Sequence, residues 1–268
     1  MDEFDFDAHK MQAIEQYECV RPKYKRFAET AKRILDHALR KRDILFHKIE
    51  ERAKEIESFG NKAIEPMELD QTKLKYRDPL RQIEDLAGVR VITFLHRDVE
   101  EVCKCIECEF YCQPKDDKSE RLIESDKFGY QSIHYIAQLH PDRIKLPEYN
   151  EFGGLKLEIQ VRTILQHAWA EIEHDIQYKS TEPIPPLIRR RFMSLAGLLE
   201  IADREFQELH DVDKGLRREV QEKHIVMLDQ EINQINLGTY LHKTFPERDH
   251  SEQKYVSEII DELLNVES

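Results

Sequence analysis

Three short segments combine carboxylate, cationic and aromatic side chains in patterns that suit chemistry on phosphates. Residues 84–90 (EDLAGVR) place two carboxylates and an arginine on either side of a glycine turn. Residues 128–135 (FGYQSIHY) join aromatic side chains and a histidine at a loop-to-strand junction. In residues 158–163 (EIQVRT), a strand period of two puts the glutamate, the glutamine and the arginine on one face. Polar residues on one face of an otherwise buried strand are costly unless they are paired or line a site.

Each segment also has a purely structural interpretation. Asp85 can cap a turn and pair with Arg90. Glu158 and Arg162 can form an ion pair across one face of the strand, and Tyr130 can be a core aromatic residue. The residue types alone leave both interpretations open.

Hydrophobic patterning predicts the elements that position these segments. Residues 89–95 are nearly all apolar, which is typical of a buried strand, and residues 132–139 and 155–161 alternate as half-buried strands do. Residues 163–178 have a helical apolar stripe. Beyond the segment EPIPP only helical patterns follow, around residues 187–209, 214–235 and 252–264. Strands with crossover helices, followed by helices alone, indicate an α/β or α+β core with a helical C-terminal extension.

The N-terminal part has fewer strand signals. The first 20 residues are an acidic leader, and Pro22 suits the first position of a helix, where a missing N–H is not needed. Gly60 and Pro66 predict breaks in the chain. Between them, residues 45–56 have a periodicity that continues the helix.

Composition narrows the class of protein. The 268 residues are 40% hydrophobic and carry a formal net charge of −13. Apolar runs stay well short of the roughly 18 residues that a membrane span needs, and the acidic start is unlike a signal peptide, so we expect a soluble, cytoplasmic protein without a membrane partner. Residues 21–54 hold 12 basic and 5 acidic residues. Such a basic arm can meet phosphates locally, although a solvated helix face explains it equally well.

Four of the five cysteines lie close together, at positions 103, 105, 108 and 112. Cys105 and Cys108 have the spacing of zinc ligands. The same stretch fits an amphipathic helix that places Cys103 in the core, away from the other three, and reduced cysteine behaves as a small apolar residue. We therefore expect no metal at these cysteines.

In this order, the three segments resemble the synthetase domain of the RelA/SpoT family, which makes the alarmone (p)ppGpp. A fourth piece has the spacing of the family's ATP-binding segment: Arg52, Lys54, Ser58 and Lys62. The likeness covers about residues 44–179, where EIQVRT leads into HAWAEIEHDIQYK. It implies an α+β fold, a mixed β-sheet flanked by helices in a nucleotidyltransferase-like core. It also implies a strand near residues 49–54 and a helix after it, which we prefer to a continuing helix.

The resemblance implies an activity and roles for particular residues. The family transfers the β,γ-pyrophosphate of ATP to a ribose 3′-hydroxyl and releases AMP. Asp85 and Glu158 would be the catalytic carboxylates and would hold Mg²⁺, which takes oxygen ligands, and Glu158 would also draw the proton from the hydroxyl. The positions implied to bind ATP are Arg52, Lys54, Ser58, Lys62 and Arg90.

The positions implied to bind the acceptor nucleotide are Lys127, Tyr130, His134, Gln160 and His167. Tyr130 would stack on the base, and His134 would contact a phosphate or the ribose. The family's loop is usually KPNGYRSLH, whereas this chain has DKFGYQSIH, so Gln131 stands where the family has an arginine. His167 stands where several small alarmone synthetases have an amide that reads guanine.

These departures leave several acceptors open. The main hypothesis is a small alarmone synthetase that acts on GDP or GTP. The alternative is a toxic relative that pyrophosphorylates the 3′-terminal adenosine of tRNA and stops translation, with the basic arm holding the tRNA backbone. An adenosine nucleotide is a third option. A catalytically inactive, nucleotide-sensing module would be expected to lack Asp85 or Glu158, and both are present.

We expect three parts along the chain. Residues 1–43 form the leader and the basic helix, residues 44–180 the synthetase core, and residues 181–268 a helical extension. Fewer than 50 residues precede the likeness, so the family's hydrolase half is expected to be absent. The C-terminal helices are expected to build a homo-oligomer, and the tail at 244–268 to dock an antitoxin or to cover the basic arm.

Overall fold

The structure, a computed structural model, describes residues 5–67, 70–112, 132–179 and 185–222. Its helices are α1 (Phe6–Lys41), α2 (Ile56–Ala63), α3 (Pro79–Gln82), α4 (His96–Glu109), α5 (Pro141–Ile144), α6 (Ile164–Lys179) and α7 (Pro186–Glu222). Its strands are β1 (Lys48–Ala53), β2 (Pro66–Met67), β3 (Asp70–Leu74), β4 (Ala87–Thr93), β5 (Phe110–Cys112), β6 (Ile133–Leu139) and β7 (Leu157–Thr163).

Five strands form one mixed sheet in the order β1–β4–β7–β6–β5. Strands β4 and β7 run parallel, and the other three neighbouring pairs are antiparallel. Strands β2 and β3 form a separate hairpin. This sheet, flanked by helices, confirms the prediction of an α+β fold.

The two faces of the sheet differ in chemistry because side chains alternate along each strand. One face carries Val89 and Val91 of β4 with Ile159 and Val161 of β7, and it packs against α1 and α4 in the hydrophobic core. We call this the apolar face. We call the opposite face, which carries Arg90 of β4 with Glu158 and Gln160 of β7, the polar face.

The predicted strands and the helix after them are confirmed, with boundaries shifted by one or two residues. The strand and helix that the resemblance implied after residue 48 are β1 and α2. The helical periodicity of residues 45–56 was therefore misleading. Ile49 and Ala53 are the buried residues of β1, and their spacing of four places them on one face of a strand as well as of a helix.

The prediction that Pro22 begins a helix is wrong. Helix α1 begins at Phe6, where the Asp5 side chain accepts a hydrogen bond of 2.9 Å from the Ala8 amide, and Pro22 lies inside it. A proline in a helix interior costs about 3 kcal/mol. Apolar residues of α1 before and after Pro22, such as Tyr17 and Phe27, are fully buried, and their burial offsets that cost so that the helix continues through Pro22.

Gly60 does not break the chain but lies inside α2. A Cβ atom at Gly60 would lie only 2.6 Å from Cδ1 of Ile14 in α1. The glycine therefore allows α1 and α2 to pack closely, which is a tertiary requirement that local patterning cannot reveal.

The cysteine helix is α4, but the burial pattern predicted for it is partly wrong. Cys103 is buried as expected, and Cys105 is buried as well, whereas Cys108 is exposed. Burial is the main cause that raises the pKa of the Cys105 thiol. Helix α4 is therefore covered on more than the one side that an amphipathic stripe assumes.

The helical patterns at 187–209 and the start of 214–235 belong to one helix, α7, which continues to Glu222. The part of 214–235 beyond Glu222 and the pattern at 252–264 lie outside the described residues. Near its start α7 is held by Phe192, whose ring makes an edge contact with Trp169 of α6. Thr163 at the end of β7 also donates a hydrogen bond of 2.7 Å to Asp203 of α7.

The chain divides into two compact units, Met1–Arg204 and Glu205–Ser268, and the second is described only for its part of α7. The boundaries expected at 43/44 and 180/181 stay predictions. Among the described helices, none combines the length and the apolar character needed to cross a membrane.

Candidate active site

The site is built where three neighbouring strands turn polar side chains to the same side. Gly88 of β4 lies opposite Arg52 of β1 and opposite Glu158 of β7, and Arg90 lies opposite Gln160. These positions share the polar face, and α6 covers it through Glu171. Between them lies a cavity of about 530 Å³, lined by Lys32, Lys48, Ile49, Glu50, Glu51, Arg52, Gly88, Val89, Arg90, Glu158, Gln160, Glu171 and His174.

Asp85 forms the centre of a second cluster, in the loop that leads into β4. Lys54 Nζ lies 2.7 Å from its Oδ2 atom, and Lys62 Nζ lies 3.0 Å from its Oδ1 atom. Burial by itself would raise the pKa of Asp85, but the two ammonium groups outweigh it and hold the pKa below its usual value. Asp85 is therefore ionised at neutral pH.

Helix α1 fixes the backbone that carries Lys54. The Lys54 amide donates 2.9 Å to the Leu86 carbonyl, and the Lys54 carbonyl accepts from the Tyr17 hydroxyl at 2.8 Å and from Arg21 Nε at 3.1 Å. Burial raises the pKa of Tyr17 to about 12, so the hydroxyl remains a donor. Sequence reasoning missed Tyr17 and Arg21, because no local pattern connects them to a lysine more than 30 residues later.

Glu158 is the buried carboxylate of the polar face, with 8% of the residue exposed. Its Oε1 atom lies 2.8 Å from Nδ1 of His134 on β6, and its Oε2 atom accepts 2.9 Å from the Gln160 amide. Asp85 lies two residues before β4, and Glu158 is the second residue of the parallel strand β7, so each carboxylate lies near the N-terminal end of its strand.

Arg90 is held by acidic residues that sequence reasoning did not select. Its Nη1 atom lies 2.8 Å from Glu171 of α6 and 3.5 Å from Glu50 of β1, and its Nε donates 3.4 Å to Gln160. Arg90 thus pairs with these glutamates, and Asp85 pairs with lysines, rather than with each other as the structural alternative supposed. The i+13 spacing from Glu158 to Glu171 offered no signal, because it links a strand to the following helix.

Gln160 separates two cations on the same face. Its Oε1 atom accepts from Arg90 and also from Arg162. Arg162 is only 6% exposed, and burial, assisted by the charge of Arg90, lowers its pKa to about 10. It still carries its charge at neutral pH. Gln160 therefore orients both arginines, a role that differs from the acceptor contact that the resemblance implied.

His167 lies in the first turn of α6, with Nδ1 3.7 Å from the Glu171 carboxylate. Burial and then the charge of Arg90 lower its pKa, so the ring is neutral at pH 7. A neutral imidazole offers both a donor and an acceptor, as the amide expected at this position does.

Of the residues expected to bind ATP, Arg52 and Arg90 line the cavity, whereas Lys54 and Lys62 contact Asp85. Arg52 lies across Gly88, where an added Cβ would come within 3.3 Å of the Arg52 side chain. Ser58 and Lys62 lie on the same side of α2 at a spacing of four, and Ser58 is exposed. Of the acceptor residues, His134, Gln160 and His167 are placed as above, whereas Lys127 and Tyr130 lie outside the described residues.

Known proteins are similar to this chain over the region that contains the site. The family model described as "Region found in RelA / SpoT proteins" matches residues 51–183. The GTP pyrophosphokinase YwaC of Bacillus subtilis is 26% identical over 177 residues, which are 63% of this chain and 72% of that protein. The GTP pyrophosphokinase YjbM of the same organism is 30% identical over 151 residues, 54% of this chain and 64% of that protein.

Solved structures share the fold. The small alarmone synthetase 1 from Bacillus subtilis bound to its product pppGpp superposes with a TM-score of 0.59 at 21% identity, covering 74% of this chain and 97% of that chain. The same protein bound to AMPCPP gives a TM-score of 0.56 at 20% identity, covering 75% and 99%. Through residues 51–183, this chain belongs to the RelA/SpoT family.

Proposed function

We propose that this chain is an ATP-dependent pyrophosphokinase that makes (p)ppGpp in the cytoplasm. It transfers the β,γ-pyrophosphate of ATP to the ribose 3′-hydroxyl of GDP or GTP and releases AMP. The observation that carries the proposal is the buried carboxylate Glu158, which faces a cavity lined by Arg52 and Arg90 in a RelA/SpoT region. Both curated relatives are GTP pyrophosphokinases.

The reaction needs a base for the acceptor hydroxyl, and Glu158 supplies it. The 3′-oxygen attacks the β-phosphorus of ATP, the bond from that phosphorus to the α,β-bridging oxygen breaks, and AMP leaves with that oxygen. Glu158 takes the proton of the hydroxyl. Its two oxygens accept hydrogen bonds from His134 and Gln160, which orient the carboxylate.

Cations must neutralise the charge that spreads over the phosphate oxygens during transfer. Lys54 and Lys62 supply two ammonium groups beside Asp85. Arg52 and Arg90 supply planar guanidinium groups at the cavity, which can stack on an adenine base as well as bind phosphate. This distribution of positive charge supports a triphosphate as the donor.

The residues present also fit a magnesium ion. Mg²⁺ takes oxygen ligands, commonly one or two carboxylates together with substrate phosphates. Oδ1 of Asp85 is buried, and the Lys62 ammonium 3.0 Å away engages one of its two lone pairs, so the other remains for a metal. Asp85 and Glu158 would hold the ion, which, when bound, neutralises phosphate charge.

A tRNA acceptor is not favoured by the relatives or by the structure. In the basic arm, Arg21, Arg26 and Lys32 are each paired with a glutamate, at 2.6–2.9 Å. Cations that are already paired attract a phosphate backbone less strongly. An antitoxin partner and a homo-oligomer stay predictions.

The experiment is a transfer assay with terminally labelled ATP and Mg²⁺, offering GDP, GTP, ATP and uncharged tRNA in parallel. We expect label on GDP and GTP, with one AMP released per transfer, and no label with the variant Glu158→Gln. Label on tRNA alone would overturn the proposed acceptor. No label on any acceptor, together with tight ATP binding, would make the chain a nucleotide-sensing module.

A further inference from the structure

Three side chains on the polar face form a continuous chain of hydrogen bonds. Ser132 and His134 belong to the segment that enters β6, and Glu158 lies on the neighbouring strand β7. Ser132 Oγ lies 2.6 Å from His134 Nε2, and His134 Nδ1 lies 2.8 Å from Glu158 Oε1. The imidazole therefore joins a hydroxyl to the buried carboxylate.

The direction of these hydrogen bonds follows from the groups themselves. An ionised carboxylate only accepts, so Nδ1 of His134 must carry the proton that it donates to Glu158. In a neutral imidazole, Nε2 is then an acceptor, and the hydroxyl of Ser132 donates to it. The tautomer with its proton on Nδ1 therefore satisfies both hydrogen bonds of His134.

His134 lies outside the lining of the cavity and on the next strand of the sheet. The cavity lining comes from α1, β1, β4, β7 and α6, and it includes Glu158 and Gln160. His134 reaches Glu158 from β6, on the other side of β7. Its two ring nitrogens lie within hydrogen-bond distance of Ser132 and Glu158, so the imidazole contacts the carboxylate on the side away from the cavity.

We propose that His134 and Ser132 are positioning residues that act through Glu158, rather than contacts to the acceptor. His134 hydrogen-bonds to one carboxylate oxygen and Gln160 to the other, so the two contacts fix the plane of the carboxylate relative to the acceptor hydroxyl. Ser132 holds the imidazole in the tautomer that donates to Glu158. This inference rests on the proposed function and changes the role that the resemblance implied for His134.

Steady-state kinetics with GTP as acceptor separates the two roles. We expect His134→Ala to lower kcat by about 10- to 100-fold, as loss of a supporting hydrogen bond at a reacting group does, with the KM for GTP within twofold. His134→Asn should recover most of kcat, because its amide nitrogen lies near the position of Nδ1. Ser132→Ala should cost about fivefold. The matched control is Gln138→Ala, on the same face of β6, where the side chain bonds to the Gly154 carbonyl and activity should not change.

The opposite pattern would overturn the inference. A raised KM for GTP at unchanged kcat in His134→Ala would make His134 an acceptor contact. Failure of His134→Asn to restore kcat, in a variant whose unfolding midpoint equals that of the wild type, would also contradict positioning. Because His134 acts through Glu158, His134→Ala should lower kcat by less than twofold when it is added to Glu158→Gln.

A spectroscopic measurement tests the hydrogen bonds independently of turnover. In protein with ¹⁵N-labelled histidine and no nucleotide, the signals lost in His134→Ala belong to His134, and we expect its Nδ1 to carry the proton. A proton on Nε2 would overturn the inference even in an active enzyme. If the wild type transfers label to no acceptor, the proposed function fails, and this measurement still decides whether His134 donates to Glu158.

Discussion

The two faces of the central sheet are made by the same strands and serve opposite purposes. On the apolar face, Val89 and Ile159 are fully or almost fully buried against helices, and their contribution to stability grows with the apolar area removed from water. On the polar face, Glu158 and Arg162 are also almost fully buried, but among other charged and polar side chains. Burial on the polar face therefore costs free energy, and hydrogen-bond and ion-pair partners offset it and hold the polar groups in fixed positions.

The largest expected effect comes from the polar face. Glu158→Gln keeps the size of the side chain and removes the base, so we expect transfer to GDP or GTP to fall by roughly 10²- to 10⁴-fold. The unfolding midpoint should change little, because the shape of the side chain is kept, its amide oxygen still accepts one of the two hydrogen bonds, and a buried charge is removed. AMP release and thermal unfolding measure the two quantities. Substantial remaining turnover would contradict the assignment of Glu158 as the base.

The adjacent residue should give the opposite result. Ile159 points to the apolar face and is fully buried. Ile159→Ala is expected to lower the free energy of unfolding by about 3 kcal/mol, from lost apolar contact and the cavity left behind. Activity per folded molecule should stay near that of the wild type. Urea unfolding, with activity assayed well below the transition, tests both, and a selective loss of kcat would show that the two faces are not independent.

The Asp85 cluster gives a smaller, pH-dependent effect. The folded-state pKa of Asp85 is lowered by Lys54 and Lys62, so its stabilisation is present above the unfolded-state value of about 3.9 and is lost as pH falls through the folded-state pKa. We expect Asp85→Asn to cost about 2 kcal/mol at pH 7. The difference from the wild type should shrink below about pH 4. Equal differences at pH 3 and pH 7 would contradict the pairing.

The smallest effect is expected at Gly88. An alanine there would press its Cβ against the Arg52 side chain, which has to shift by a few tenths of an ångström. We expect Gly88→Ala to raise the KM for ATP about threefold and to leave kcat and stability nearly unchanged. The neighbouring change Val89→Ala, on the apolar face, is the control and should lower stability without raising that KM.

Much of the fold and of the site follows from local patterns. Alternation along 155–161 identified β7. The strand and helix at β1 and α2 were implied by the family resemblance that Arg52, Lys54, Ser58 and Lys62 carry, against the helical periodicity of the same segment. Patterns failed where packing decides. Pro22 and Gly60 look like boundaries, yet each lies within a helix, because α1 packs along β1 and α2.

The sequence by itself determined which residue types lie on the polar face, since a strand period of two places Glu158, Gln160 and Arg162 together. Only the tertiary structure decided how those groups are held. His134 against Glu158, Glu171 against Arg90, and Tyr17 with Arg21 on the Lys54 carbonyl are contacts between separate elements. The physical reason is that a buried charge needs partners from several directions, and one strand supplies neighbours along a single line.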